Sequence, residues 1–376
     1  MNKTIVIAAI SCRAYVRAAV DAGFEVIALD AFADVDTKTL AKKVIQIDVK
    51  NGQFDAEQLL SALTELTLGL LKSVDCIGFA YGAGFEAQPE LLNKIERILP
   101  VIGNYSEVIA QCKQPQAFFA LCDLLEMPYP PTLFYKPNNT LGWLQKKVGA
   151  SGGAHIKTLF PINLEPITSQ AINDGLKPEV YYQQKQEGTP ISCLFLADGI
   201  NALILGFNEQ WCSPTLLFPY RFGGAVSHTT ISAISMHKLA EFITAITKKL
   251  GLKGLNSCDC IVQNDDVFML EINPRLSATV DLYQAKRGNL FAAHVASCLG
   301  PLAEWPVAEK QSRAMQVIYA NQIAKVPPDM DWPEWVCDIP QPNSVIPMGM
   351  PICSVMAEAR TAKLAKQKVL QRAASL

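Results

Sequence analysis

The residues best suited to chemistry lie in one stretch, Gly254 to Arg275, which reads GLNSCDCIVQNDDVFMLEINPR. Residues 257–263 and 267–272 are short β-branched and apolar runs separated by Asn264, Asp265 and Asp266, the pattern of a hairpin. Centring the pairing on Asp265 sets Gln263 opposite Val267, Ile261 opposite Met269 and Asp259 opposite Glu271. Opposed cross-strand side chains have Cβ atoms roughly 5 Å apart, and like charges there destabilise a sheet, so the two carboxylates require a cation or a raised pKa. Asn273 points to the same face, and Arg275 follows once Pro274 has ended the ladder. The other face, with Cys258, Cys260, Val262, Phe268, Leu270 and Ile272, reads as core. Two acids and an amide offer only oxygen, which suits a hard cation such as magnesium that completes its shell with water and phosphate oxygens. The implied partner is a nucleoside triphosphate. A solvated surface hairpin would give the same pattern, so the rest of the chain has to decide.

A chain of 376 residues points to two or three domains. Its net charge of -2, without any run of Lys or Arg, provides no field for nucleic acid. Met1 to Ile10 leads directly into a strand-like run rather than a cleavable signal, and no apolar stretch is long enough to span a membrane, so a cytoplasmic protein is expected. The eleven cysteines are scattered without CxxC, which reads as reduced thiols. The four histidines are not spaced as a ligand pair, which argues against a histidine metal site.

Several elements must position the hairpin. Strand 4–9, helix 12–22 and strand 25–30 open an α/β doubly wound unit. Asp30 stands where a dinucleotide fold puts its ribose acid, but the first turn, AISCRA, lacks GxGxxG, and a dehydrogenase is disfavoured. Strand 76–81 ends in YGAGFE, with Gly82, Gly84 and Glu86 at the carboxyl edge, and this unit closes near 101–104. Tight-turn glycines beside a solvated acid are the favoured account of that segment. Helix 116–126 is stopped by MPYPPT, and strand 143–147 ends in Lys146 and Lys147 before GASGGAHIK, a loop able to lay its amides over phosphates. Strand 180–186 is expected to pair with 191–197 as a hairpin, with strand 200–208 continuing the sheet, a loop at 221–224 and a helix over 234–250. Beyond the acidic hairpin come helix 289–299, a linker over 300–306, strands 314–320 and 353–357 of a last small module, and an amphipathic helix over 361–374. Trp332 and Trp335, in the proline-rich segment 327–351, read as packing residues.

In this order the elements resemble the ATP-grasp superfamily over nearly the whole chain. The resemblance rests on CKQPQAFFALCDLLEMPYPPT as a lysine-led helix, KKVGASGGAHI as a lysine and flexible glycine loop, YYQQKQEG as a hinge, and the acidic hairpin as the most specific motif. The ending VIPMGMPICSVMAEARTAKLAKQ is similar to the C-terminal module of the biotin carboxylase-like branch, and the whole looks like the carboligase-like group related to biotin carboxylase and carbamoyl-phosphate synthase large subunit. The resemblance implies an α/β fold with a pre-ATP-grasp domain at 1–105, a two-lobed α+β ATP-grasp domain at 106–300, its lobes dividing near 182, and a C-terminal extension at 301–376. It further implies that Lys113 and Lys146 touch nucleotide phosphates and that Ser151, Gly152 and Gly153 form a lid. Lys147 stands where that branch usually has proline, and either Lys146 or Lys147 could be the phosphate ligand. The hinge, Gln183, Gln184, Lys185 and Gln186, would present backbone groups to adenine and Glu187 would accept from the ribose. Gln184 replaces a glutamate common in relatives. Asp259, Glu271 and Asn273 would hold magnesium, with manganese as a substitute, and Arg275 would stabilise the transferred phosphoryl group. Arg13, Glu86, Arg221 and His228 are candidates for an acceptor pocket. The implied activity is an ATP-dependent carboxylate–amine or carboxylate–thiol ligase acting through an acyl phosphate, in small-molecule or cofactor biosynthesis, with a homodimer as in many relatives. A bicarbonate-phosphorylating enzyme is the nearest competitor; an inactive nucleotide-binding sensor or scaffold is a different class.

Overall fold

The computed structural model describes residues 3–160, 179–283, 290–302 and 311–376. Its first sheet is parallel, in the order Lys43–Gln46, Glu25–Asp30, Thr4–Ala9, Cys76–Tyr81. Thr4–Ala9 is buried at every position, as a strand covered on both faces must be. Ile5 and Ile7 pack with helix Arg13–Asp21, while Val6 and Ala8 pack with helix Ala56–Leu68.

A second, small antiparallel sheet runs Thr132–Leu133, Val180–Gln184, Trp143–Lys147, Lys157–Thr158. The expected hairpin between 180–186 and 191–197 does not form: Val180–Gln184 pairs with Trp143–Lys147, and Thr189–Asp198 belongs to a different sheet. Alternation along a strand fixes which side chains face inward, not which strand lies alongside. The chain passes between sheets at Gly188, whose φ of +136° and approach to Ile261 and Val262 leave no space for a side chain.

The large sheet has eight strands, in the order Asp266–Asn273, Lys253–Gln263, Thr189–Asp198, Ala202–Cys212, Phe222–Val226, Ser312–Tyr319, Pro351–Ala359, Val336–Cys337. Helix Ala233–Leu250, capped by the Ser232 side chain and ended by left-handed Gly251, packs Leu239, Phe242 and Ile246 against Cys193, Phe195 and Met269. Helix Leu290–Leu299 covers the opposite face through Phe291 and Val295, against Leu194, Leu196 and Leu255. Residues 222–224, expected as a loop, are a strand. Gly224 is there because a Cβ would strike the Trp211 ring and the Met315 carbonyl, and a glycine in that role reads as a turn. Through this strand the C-terminal strands continue the large sheet. Trp335 packs on the Val226, Ala314 and Val355 cluster and Trp332 on Val326 and Ile346, as expected. The expected linker at 300–306 lies largely outside the described residues. All eleven cysteines are free.

Two short helices precede the small sheet: Ser106–Lys113, unforeseen in the sequence, and Pro115–Leu124. Gln114 is extended between them and Pro115 starts the second. Lys113 therefore ends a helix of its own.

Candidate active site

In the acidic hairpin Asp259 faces Glu271, by a route the sequence did not suggest. The turn has two residues, because Gln263 pairs with Asp266, and Asn264 takes the left-handed conformation, with φ of 55°. That shifts the next pairs to Ile261 with Phe268 and Cys260 with Met269, and a bulge between Asp259 and Cys260 then restores Asp259 to Glu271. Consequently Val267 and Met269 are buried, whereas Phe268 and Leu270, expected in the core, are half-buried. Cys258, Cys260, Val262 and Ile272 are buried as expected. The bulge aims Leu270 at the cleft beside Asp259 and Glu271.

The facing carboxylates are tied into a charged network. Lys113 Nζ donates to Glu271 Oε2 at 2.8 Å and to Asn273 Oδ1 at 2.6 Å. Asn273 Nδ2 donates to Asp259 Oδ2 at 2.9 Å, and Gln210 Nε2 lies 3.5 Å from Asp259 Oδ1. Arg275 donates from Nε to Glu86 Oε1 at 2.7 Å and from Nη2 to Asn273 Oδ1 at 3.3 Å. Glu86 Oε2 accepts from the Gly84 and Phe85 amides at 2.7 and 3.0 Å. Burial, then the charge of Glu271, pushes Asp259 up. Burial would also raise Glu271, but Lys113, His155 and Lys146 outweigh it and hold that carboxyl below its usual range.

These residues border a cleft of about 480 Å³ between the small and large sheets. On its small-sheet side Lys146 Nζ donates to Gln183 Oε1 at 2.7 Å, and Gln183 Nε2 donates to Thr132 Oγ1 at 3.0 Å. Burial, against the attraction of Glu271 and Asp259, brings Lys146 down to about 8. The glycine loop crosses the opening. A Cβ on Gly149 would lie 2.7 Å from Ala87 Cα, one on Gly153 would strike the Tyr220 carbonyl, and Phe222 N donates to Gly152 O at 2.9 Å.

Of the expected site residues, Lys113, Lys146, Gly152, Gly153, Gln183, Gln184, Lys185, Gln186, Glu187, Asp259 and Glu271 border the cleft, as does Lys147. Asn273 and Arg275 stand behind it through Lys113 and Glu86, and Ser151 is half-buried in the loop. In the hinge the Gln184 and Lys185 amides donate to Pro131 O and Gly142 O, at 2.9 and 2.8 Å. The Glu187 side chain, 75% exposed, pairs with Lys185 at 3.0 Å. Of the four acceptor candidates only Glu86 joins the network. Arg13 forms buried ion pairs with Asp281 and Asp338, at 2.6 and 3.0 Å. Arg221 donates to Ser213 O and Gly349 O and stacks over Tyr319, and His228 borders a separate cavity with Arg360 and Thr361. Gln210 and His155 also border the cleft and received no role from the sequence. His155 lies within the glycine motif, and that position was its only signal.

An all-oxygen set of two carboxylates and an amide fits magnesium, which binds through one or two carboxylates and relies on phosphate and water for the rest. Among the described residues no group of three or more His, Cys, Asp or Glu could hold a metal without such help. Residues 128–279, from the small sheet through Arg275, match the ATP-grasp domain family. An uncharacterized protein of Methanocaldococcus jannaschii is 22% identical over 95% of this chain and 88% of its own. The carbamoyl phosphate synthase large chain of Myxococcus xanthus is 19% identical over 54% of this chain, which spans only about a fifth of that protein. Among solved structures, the biotin carboxylase domain of Hydrogenobacter thermophilus 2-oxoglutarate carboxylase superposes with a TM-score of 0.73 over 99% of this chain and 90% of that one, at 13% identity. That domain was solved as a dimer with MgADP, ADP and bicarbonate. L-amino acid ligase from Bacillus licheniformis gives a TM-score of 0.70 over 98% of this chain and 96% of its own, at 12% identity. The central residues thus match the ATP-grasp domain family, and the chain as a whole has the fold of these enzymes.

Proposed function

We propose that this protein activates a substrate carboxylate with ATP and joins it to an amine or a thiol, releasing ADP and phosphate. The observation that supports this reading is the half-buried Asp259–Glu271 pair facing Lys146 across the cleft, with Lys113, Asn273 and Arg275 behind it. A substrate carboxylate oxygen attacks the terminal phosphorus, and the bond from that phosphorus to the bridging oxygen breaks. The amine or thiol then attacks the acyl carbon, phosphate leaves with the electron pair, and the nucleophile gives up its proton. Such chemistry depends on positioning and charge stabilisation, and it needs no Ser-His or Cys-His pair. Lys146, fixed by Gln183, and Lys113 supply positive charge to the phosphates, and Arg275, held by Glu86, supplies it to the transferred group. Magnesium, or manganese in its place, held by Asp259, Glu271 and Asn273, would neutralise the triphosphate. Leu144, Tyr181, Ile261 and Leu270 give the cleft apolar walls suited to a planar base, with the hinge at its edge. The glycine loop, anchored at Ala87 and Tyr220, excludes water from the activated acyl group.

We take 105 and 300 as working domain divisions, and a homodimer as the working assembly by likeness to the dimeric biotin carboxylase domain. None of the described helices is long and apolar enough to cross a membrane. The test is ADP release from magnesium-ATP in hydroxylamine, which traps an acyl phosphate as a hydroxamate, with amino acids, other carboxylates and bicarbonate offered in separate pools. Hydroxamate formed with one acid pool is the expected result. ADP release that requires bicarbonate and no organic acid would favour the second reading, bicarbonate phosphorylation, which the bicarbonate-bound relative suggests. Tight ATP binding without turnover in any pool would favour a non-catalytic sensor.

A further inference from the structure

His155 sits in the glycine loop and borders the cleft, with the Ser151 backbone carbonyl near its ring, yet its Nδ1 is buried and makes no hydrogen bond of good geometry among the described residues. Lys113 and Lys146, which also border the cleft, already have partners: Lys113 is on Glu271 and Asn273, and Lys146 is on Gln183. A buried imidazole nitrogen without a partner is costly unless something arrives to meet it. The backbone around His155 cannot simply swing away. Gly153 presses on the Tyr220 carbonyl, Ile156 N donates to Gly153 O at 3.1 Å, and Thr158 Oγ1 lies 3.2 Å from the Tyr220 hydroxyl. The charges that act on the ring are those of Glu271, Lys146 and Lys113, the groups assembled around the phosphate end of the cleft and not those of the hinge.

We propose that His155 is a catalytic residue that donates a hydrogen bond from Nδ1 to an oxygen of the terminal, transferred phosphoryl group of the nucleotide. The inference rests on the ATP-dependent reading of the cleft and adds to it a residue that distinguishes a triphosphate from a diphosphate. The loop then does more than cover the nucleotide, because its closed position is stabilised only when the transferable group is present.

The test compares binding of the β,γ-imido analogue of ATP with binding of ADP, each with magnesium, to the wild-type chain, His155→Leu and His155→Asn. Asparagine keeps an N–H donor near the position of Nδ1, and leucine keeps the bulk alone. His155→Leu is expected to bind the imido analogue about 10- to 100-fold more weakly, the weight of a hydrogen bond to a charged oxygen. Its affinity for ADP should stay within about 2-fold by the same measure, and His155→Asn should recover most of the loss. Equal losses for both nucleotides, no loss for either, or an asparagine variant as poor as leucine would overturn the proposal. Wild-type protein that binds neither nucleotide would defeat the ATP-dependent reading itself and the proposal with it.

Discussion

Two carboxylate sites lie on strands of this molecule, and they are held in opposite ways. Asp30 ends a strand of the first sheet, is fully buried, and accepts from three backbone amides, those of Cys12 at 2.5 Å, Phe32 at 2.7 Å and Ala33 at 2.6 Å. Burial pushes its pKa up in spite of those donors. Asp259 and Glu271 receive hydrogen bonds from side chains, those of Asn273, Gln210 and Lys113, and border a cleft. A carboxylate satisfied by backbone has its partners for as long as the fold persists. One satisfied by an ammonium or an amide can exchange that partner for an incoming ion or phosphate. The difference separates an acid that holds a turn closed from acids available for chemistry, although all three lie on strands.

The largest effect expected from this contrast is on turnover. Glu271→Gln or Asp259→Asn should lower ADP release by about 10³-fold or more while circular dichroism shows the fold intact. Full activity in either variant would erase the distinction. Asp30→Ala should behave in the reverse sense, leaving three backbone amides, two of them buried, without an acceptor and costing about 3 kcal/mol or more in chemical denaturation, with turnover per folded molecule unchanged. His294 belongs with Asp30, because its Nδ1 accepts from Leu255 N at 2.9 Å and its Nε2 lies 3.0 Å from Ile102 O. Burial brings it down from 6.5 to about 4. The folded chain then binds fewer protons than the unfolded one, so stability is complete above pH 6.5 and about 3 kcal/mol is lost as pH falls through that window towards 4. A denaturation series across these pH values, repeated on His294→Gln, checks it.

Lys146 belongs with the exchangeable groups. Lys146→Met should weaken magnesium-ATP binding about 10- to 100-fold. In the wild type, affinity should decline as pH rises through about 8, where the unliganded ammonium loses its proton. Isothermal titration from pH 7 to 9.5 reads both. The smallest effect is expected at Glu187, which is exposed and paired with Lys185. Glu187→Ala should change ATP affinity about 2- to 5-fold.

Much of this was readable in the chain itself. The strands at Thr4–Ala9 and Glu25–Asp30 were legible because continuous burial leaves a continuous apolar run. The facing of Asp259 and Glu271 was legible for an incomplete reason: a turn shorter by one residue and a bulge longer by one cancel, and neither leaves a mark in hydrophobic alternation. That cancellation misplaced Phe268 and Leu270. Lys113 was visible as a lysine ahead of a helix, but its position on Glu271 and Asn273 depends on a separate eight-residue helix that it ends. Strand neighbours stayed hidden at Val180–Gln184, since alternation there fits any antiparallel partner. The ion pair of Arg275 with Glu86 spans 189 positions of sequence, and charge alone does not select among so many partners.

The stacking of Ser312–Tyr319 and Pro351–Ala359 onto Phe222–Val226 has a consequence for any shortened version of this protein. Cleavage after residue 302 would turn Phe222–Val226 into a bare edge with unpaired amides and carbonyls, an invitation to aggregate. It would also remove the Tyr319 ring and the Gly349 carbonyl from Arg221, next to the Tyr220 anchor of the loop. The cleft and the last fifth of the chain should therefore melt together, as one cooperative unit.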